Sequence, residues 1–576
     1  AKMSRLLVLW FFTLLLVSCE NVVLPPPCDS DIYCTGPILD QVQRAKLYDD
    51  DKYFVDMKLK VQPDIILSAF QNLSSESPTV SVEKLQEFVN MYFEKPGTEW
   101  EQWTPPDWHS KPTFLNKITD KQLREWAFNI HQLWKLLGKK IQNSVNDHPE
   151  LYSLIYSPYP VVVPGGRFRE LYYWDSYWVI NGLLLSEMTD TAKGMIHNFL
   201  HLIDRYGFVP NGGRIYYERR SQPPFLTLMV ESYYQATKDE EFLRAALPRL
   251  DQEYSFWMQN RSVSVSVNGS EHRLNRFEVP VGLPRPESYT DDLELVEGLS
   301  EGNISKQQLW MDLKAGAESG WDFTSRWFVD SNGQNSGSFN NTRTSQIVPT
   351  DLNALLCRTE KTLAAFHQTM GNNASAEQYE RAAERRLRAI DAVLWNDQQG
   401  AWFDYNLLSG RKHLDFYPSN LAPLWAQCYS HDPVCVFALQ GSGALQFPNG
   451  VPTSLKESGQ QWDYPNAWPP LQHMLIEGLS KVPSEDAKQI AEDLAQKWIR
   501  SNWKAYIAHE AMFEKYDVNG DGKPGGGGEY EVQLGFGWTN GVALQLLDQY
   551  GATLTSGSRG VCPGLLLLLS VLFTLC

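Results

Sequence analysis

Apolar residues recur at helical spacing along most of this chain, and no Gly/Ser linker or charge block interrupts residues 150–550. Leu123, Trp126, Ile130, Leu133, Trp134 and Leu137 share one helical face, as do Leu352, Leu355, Leu356, Leu363 and Phe366. Tyr379, Ala383, Leu387, Ile390 and Leu394 form a third stripe. Ile490, Leu494, Trp498 and Ile499 form a fourth, with Ser484 placed as its N-cap. Strand-like alternation is confined to short pieces, Arg261 to Val267 and Trp402 to Leu407. A helix with one apolar stripe must bury it against another element, so the expectation is an all-α fold with one continuous core. No solenoid-length repeat is visible, which disfavours a stacked array. A closed toroid of helix pairs meets the same demand, though periodicity alone does not select it.

The two ends read as processing signals. Lys2 and Arg5 precede an apolar run from Leu6 to Val17, which is too short to span a bilayer and suits a signal peptide at residues 1–19. At the other end, Ser556, Gly557 and Ser558 stand upstream of an apolar run from Leu565 to Cys576. Small residues before an apolar terminus form a GPI-anchor signal, with Ser556 as the expected attachment residue and 556–576 as the anchor signal. Sequons at Asn72, Asn260, Asn268, Asn303, Asn340 and Asn373 agree with export. Cys28 and Cys34 are expected to pair, and Cys428 and Cys435 are close enough to pair. Cys357 lies on an apolar helical face and is expected to be a buried thiol. The formal net charge of −17 argues against nucleic acid as a partner. No zinc-type spacing and no HExxH occurs. Asp517 to Gly522 imitates the front of an EF-hand but puts Gly528 where a bidentate Glu belongs.

Four loops mix Gly, aromatic residues and carboxylates: Pro164 to Trp178, Glu318 to Trp327, Gln461 to Pro470, and Glu514 through Gly525–Gly528 to Asn540. Splitting a glycosidic bond needs one carboxyl to protonate the leaving oxygen and a second to act as nucleophile or as base for water. Trp and Tyr shape a pocket and exclude water, which helps keep one carboxyl protonated near neutral pH. Arg and Asn hold hydroxyls, and Gly lets backbone come close. Each feature has a plainer reading as well. Asp175, Asp322 and Asp463 all follow Trp near expected helix starts, where Asp is a common N-cap.

The run P-G-G-R-F-x-E-x-Y-x-W-D-x-Y at 164–177, together with Gln461 to Pro470, resembles the two signature motifs of the trehalases, glycoside hydrolase family 37. The similarity covers essentially the whole chain, including Pro25-Pro26-Pro27-Cys28 and the anchor signal, and points to the animal, GPI-anchored type of brush-border surfaces. The resemblance implies an (α/α)6 barrel over 151–555, with 20–150 as an N-terminal helical extension packed on it. It implies hydrolysis of α,α-trehalose to two glucoses by inversion, with Asp322 as general acid and Glu514 as general base. It implies a sugar-binding set of Arg167, Trp174, Asp175, Asn211, Arg220, Gln222, Arg285, Glu287, Gly320 and Glu529. No metal or organic cofactor is implied, and the membrane is met only through the lipid anchor at the outer cell surface. A glycosidase for another α-glucoside, and a surface sugar-binding protein without catalysis, remain as alternatives.

Overall fold

The computed structural model describes residues 24–557, apart from 76, 164–165, 298, 300–304, 431–434, 521, 531 and 534. Six helices form a closed ring. Asp175–Leu185 touches Leu226–Thr237, which touches Thr350–Thr369; the ring continues through the short turn of helix Ala422–Trp425, Pro469–Ser480 and Gly537–Tyr550, and the last packs back on the first. Two of these inner helices, Pro469–Ser480 and Gly537–Tyr550, are apolar on most faces. Leu471, Met474, Leu475, Ile476 and Leu479 are buried in one of them, and Val542, Ala543, Leu544, Leu546 and Leu547 in another. Helices buried on every side read this way because both flanks meet protein.

Longer amphipathic helices clad the ring. Thr189–Tyr206, Glu240–Asn260 and Asn373–Val393 pack outside the first half, Glu485–His509 outside the second, and Lys121–Leu137 against Gly537–Tyr550. The stripes seen in the sequence face inward: Leu123, Trp126, Ile130 and Trp134 are buried, as are Leu352, Leu355, Leu356, Leu363 and Phe366. Ser484 caps Glu485–His509 by accepting from the Ala487 amide. This is the all-α (α/α)6 architecture expected. Among the described residues the β-structure amounts to small sheets of two or three strands. The longest is the hairpin Ser262–Val267 with Ser270–Asn275, whose turn residues Asn268 and Gly269 both have positive φ, as a two-residue hairpin turn demands.

The segment before the barrel has its own core of Ile38, Leu39, Phe54, Ile66, Phe88 and Phe93, into which Tyr216 and Tyr217 of the barrel insert. Beside it lies a fully buried charge cluster. Arg214 bonds Glu170 at 2.9 Å and Glu99 at 3.1 Å, and Lys52 bonds Asp56 at 2.6 Å. Removing one member would leave an uncompensated buried charge, so this seam is held against sliding.

The cysteine expectations need one correction. Cys28 and Cys34 are bonded as expected, but Cys357 is not a thiol: it is joined to Cys428, so Cys428 is not the partner of Cys435. The bond links inner helix Thr350–Thr369 to the segment just after Ala422–Trp425, its neighbour in the ring. Sequence distance favoured Cys435, and ring closure decided otherwise.

Candidate active site

Loops at the starts of the inner helices Asp175–Leu185, Pro469–Ser480 and Gly537–Tyr550 help line a cavity of about 70 Å3. Asp175 opens the first inner helix, Trp538 is the second residue of the last, and Trp468 immediately precedes Pro469–Ser480. Asp322, Glu514 and all ten residues of the expected sugar-binding set line this one cavity. Groups as far apart as Arg167 and Glu529 in sequence therefore share it.

Three arginines are held on its wall. Arg167 makes a two-toothed pair with Asp50, at 2.8 and 3.1 Å, and lies over the Tyr530 ring. Arg220 reaches Glu287 at 2.5 Å and Asn211 at 2.9 Å. Arg285 pairs with Asp292 at 2.6 Å and Glu529 at 2.8 Å. Burial pushes the Glu287 carboxyl up, but Arg220 and Arg285 outweigh it and hold the group below the usual carboxylate range. Gln222 accepts from the Trp174 amide. Gly320 ends the helix Lys306–Ser319 with φ +75°, and a Cβ there would lie 2.7 Å from the Trp174 ring. No other residue combines the left-handed backbone with that approach.

The two carboxyls sit in unlike surroundings. Asp322 keeps part of its surface open to the cavity and is enclosed by protein elsewhere. Its pKa is pushed up to about 7, by burial first and then by the negative charge of Glu529, with Arg285 opposing. Glu514 is 1% exposed. Burial raises it too, while Lys515, the Tyr530 hydroxyl and Arg167 favour its ionised form. Tyr530 donates to Oε1 of Glu514 at 2.9 Å, and Oε2 has no protein partner. Asp175 is pushed up to about 8 by burial and by its acidic neighbours Glu514 and Asp322. Three carboxyls in one low-dielectric cavity cannot all ionise cheaply, which separates donor from acceptor roles.

The family model for Trehalase matches residues 46–551. This chain belongs to the trehalase family. It is 54% identical to trehalase of Homo sapiens over 93% of this chain and 92% of that protein. It is likewise 54% identical to trehalase of Oryctolagus cuniculus over 93% of each, and 46% identical to that of Apis mellifera over 94% of this chain and 87% of that protein. Among solved structures, neutral trehalase Nth1 from Saccharomyces cerevisiae superposes with a TM-score of 0.55 at 25% identity, covering 68% of this chain and 75% of that one.

Within this trehalase-family fold, the three aspartates have different duties from the cap reading. Asp175 is the first residue of its helix, Trp174 holding the cap position. Asp322 follows the end of a helix. Asp463 lies outside the cavity lining and clamps one loop to another, accepting from the Ser325 amide at 2.6 Å and from Thr324, Ser325 and Ser458 hydroxyls. Tyr217, Ser288 and Ala317 also line the cavity and were not singled out by sequence; Ser288 follows Arg285-Pro286-Glu287 directly, which was the one available signal. Among the described residues no cluster of three His, Cys, Asp or Glu is arranged to hold a metal.

Proposed function

We propose that this chain hydrolyses α,α-trehalose to two glucose molecules by single displacement with inversion, Asp322 acting as general acid and Glu514 as general base. The observation that carries this reading is the shared cavity, in which a carboxyl pushed up to about 7 faces the same space as a carboxylate with one oxygen free of protein partners. Asp322 retains its proton near neutral pH and delivers it to the bridging oxygen as the bond breaks. Oε2 of Glu514 takes a proton from the water that attacks the anomeric carbon from the opposite face. Arg167, Arg220 and Arg285, with Asn211 and Gln222, hold hydroxyls, and Trp174, Trp462 and Trp468 present apolar faces to the sugar.

The test is proton NMR of the first turnovers, before mutarotation. Inversion gives one α- and one β-glucose. Two α-glucoses would overturn single displacement, and binding of trehalose without glucose release would favour the non-catalytic alternative.

We further propose that the chain is exported, with residues 1–19 removed, and held at the outer cell surface by a GPI anchor at Ser556. On this reading 20–150 is an extension on a 151–555 catalytic barrel, and 556–576 carries the anchor signal. The signal and the apolar tail lie outside the described residues. Ser556 itself is seated beside Lys121–Leu137, its amide and hydroxyl each 2.8 Å from Asp120. Among the described residues no helix is long and apolar enough to cross a membrane. Asn72, Asn260, Asn268 and Asn373 are exposed and open to glycosylation, Asn340 is half-buried, and Asn303 lies outside the described residues. Release of activity from cells by a phosphatidylinositol-specific phospholipase supports the anchor; retention refutes it.

A further inference from the structure

The loops carrying the acid and the base are joined by a single amide. Gln461 donates from Nε2 to the Asp322 carbonyl at 2.5 Å, and its Oε1 accepts from Lys515 Nζ at 2.6 Å. Lys515 is the residue after Glu514 and is fully buried, with its ammonium over the rings of Trp468 and Tyr530. Gln461 is 1% exposed, and its own carbonyl accepts from Trp468 Nε1 and Asn466 Nδ2, both at 2.9 Å. Bonded at both ends of its amide and buried, the side chain has no freedom to swing away.

The glycine run is laid over this bridge. A Cβ on Gly528 would meet the Gln461 side chain at 2.8 Å, and one on Gly525 would meet Asn466 at 2.5 Å and the Lys515 stem at 2.8 Å. The segment reaches the cavity with Glu529 and Tyr530 only by passing in contact with Gln461 and Lys515.

We propose that Gln461 and Lys515 are positioning residues that set the separation of acid and base and seat the loop bearing Glu529 and Tyr530. This deepens the assignment of Asp322 and Glu514 and rests on it. Neither residue lines the cavity, so both act through others. Gln is suited because it gives a donor to one loop and an acceptor to the other from one planar group; Glu keeps only the second. Lys515 has an electrostatic duty as well. Glu514 is faced by Lys515 and Arg167, by Asp175, and by the Tyr530 hydroxyl. Deleting the Lys515 charge removes an influence that favours ionised Glu514.

The experiment compares Gln461→Met, Gln461→Glu and Lys515→Met with Asp322→Asn in the full secreted protein, measuring kcat, KM and the pH profile of kcat/KM on trehalose. Gln461→Met is expected to lower kcat on the order of 10–100-fold with KM changed less than threefold, because misplacement of reacting groups acts on the barrier more than on binding. Gln461→Glu is expected to recover only part of that loss. Lys515→Met is expected to move the acidic limb to higher pH, a readout that simple loosening of the fold does not produce. An unchanged kcat in Gln461→Met beside an inactive Asp322→Asn overturns the bridge alone. An active Asp322→Asn overturns the underlying acid assignment. If Gln461→Met does not accumulate, an unmoved acidic limb in Lys515→Met is enough to reject the proposal.

Discussion

Tyr530 donates its hydroxyl to Oε1 of Glu514 at 2.9 Å, while Oε2 of the same carboxylate faces no protein donor. One oxygen is fixed and the other is left for water. In the proposed mechanism, a base oriented in this way has one productive direction, toward a sugar between it and Asp322.

The pH dependence follows from the two carboxyls. In its proposed role as acid Asp322 must be protonated, so kcat/KM is expected to fall as pH rises through about 7. In its proposed role as base Glu514 must be ionised, so activity is expected to fall on the acid side at a pH above the ordinary glutamate value, burial having raised it. Glu529 holds Asp322 up and Arg285 holds it down. Glu529→Gln is therefore expected to shift the basic limb to lower pH, as read from a pH–rate profile; a shift upward would contradict the assigned cause.

Asp50 belongs to the segment preceding the barrel, yet it forms the two-toothed pair that orients Arg167. Asp50→Ala is expected to lower kcat/KM on the order of tenfold, an effect near the lower end for a hydrogen bond to a charged group because Asp50 is partly solvent-exposed. Steady-state kinetics checks this, and Arg167→Lys, which cannot make the fork, should show a loss in the same direction.

At Gly320 the backbone conformation and the Trp174 ring each exclude a side chain. Gly320→Ala is expected to cost about 1–2 kcal/mol for the left-handed backbone alone. The displaced Trp174 should also raise KM for trehalose. Thermal unfolding and a KM determination read the two effects separately.

The Cys357–Cys428 bond closes a loop of sequence separation 71. Replacing both cysteines with serine is expected to lower stability by about 2–4 kcal/mol in denaturant unfolding. Catalysis should persist under native conditions, since neither residue lines the cavity.

The local elements were legible in the sequence because their causes are local. The stripe from Leu123 to Trp134 faces the core it was expected to face, Ser484 caps its helix, and the alternation from Arg261 to Val267 falls on the strand Ser262–Val267. The loops mixing Gly, Trp and carboxylates were also visible, because pocket-forming residues cluster along the chain. Pairings across the ring were not. Cys357 meets Cys428, Asp463 clamps Ser325, and Asp50 holds Arg167, each through contacts between segments far apart in sequence.

Sequence by itself determined four amphipathic stripes, the faces they bury, and which loops carry ionisable groups, because each depends on neighbours within a turn or two of chain. Tertiary structure alone decided that Asp322 and Glu514 enter one cavity, that their pKa values rise by burial, and that Gln461 spans the two loops. The physical reason is that desolvation and charge coupling depend on distance through space, and six inner helices closing on themselves set those distances.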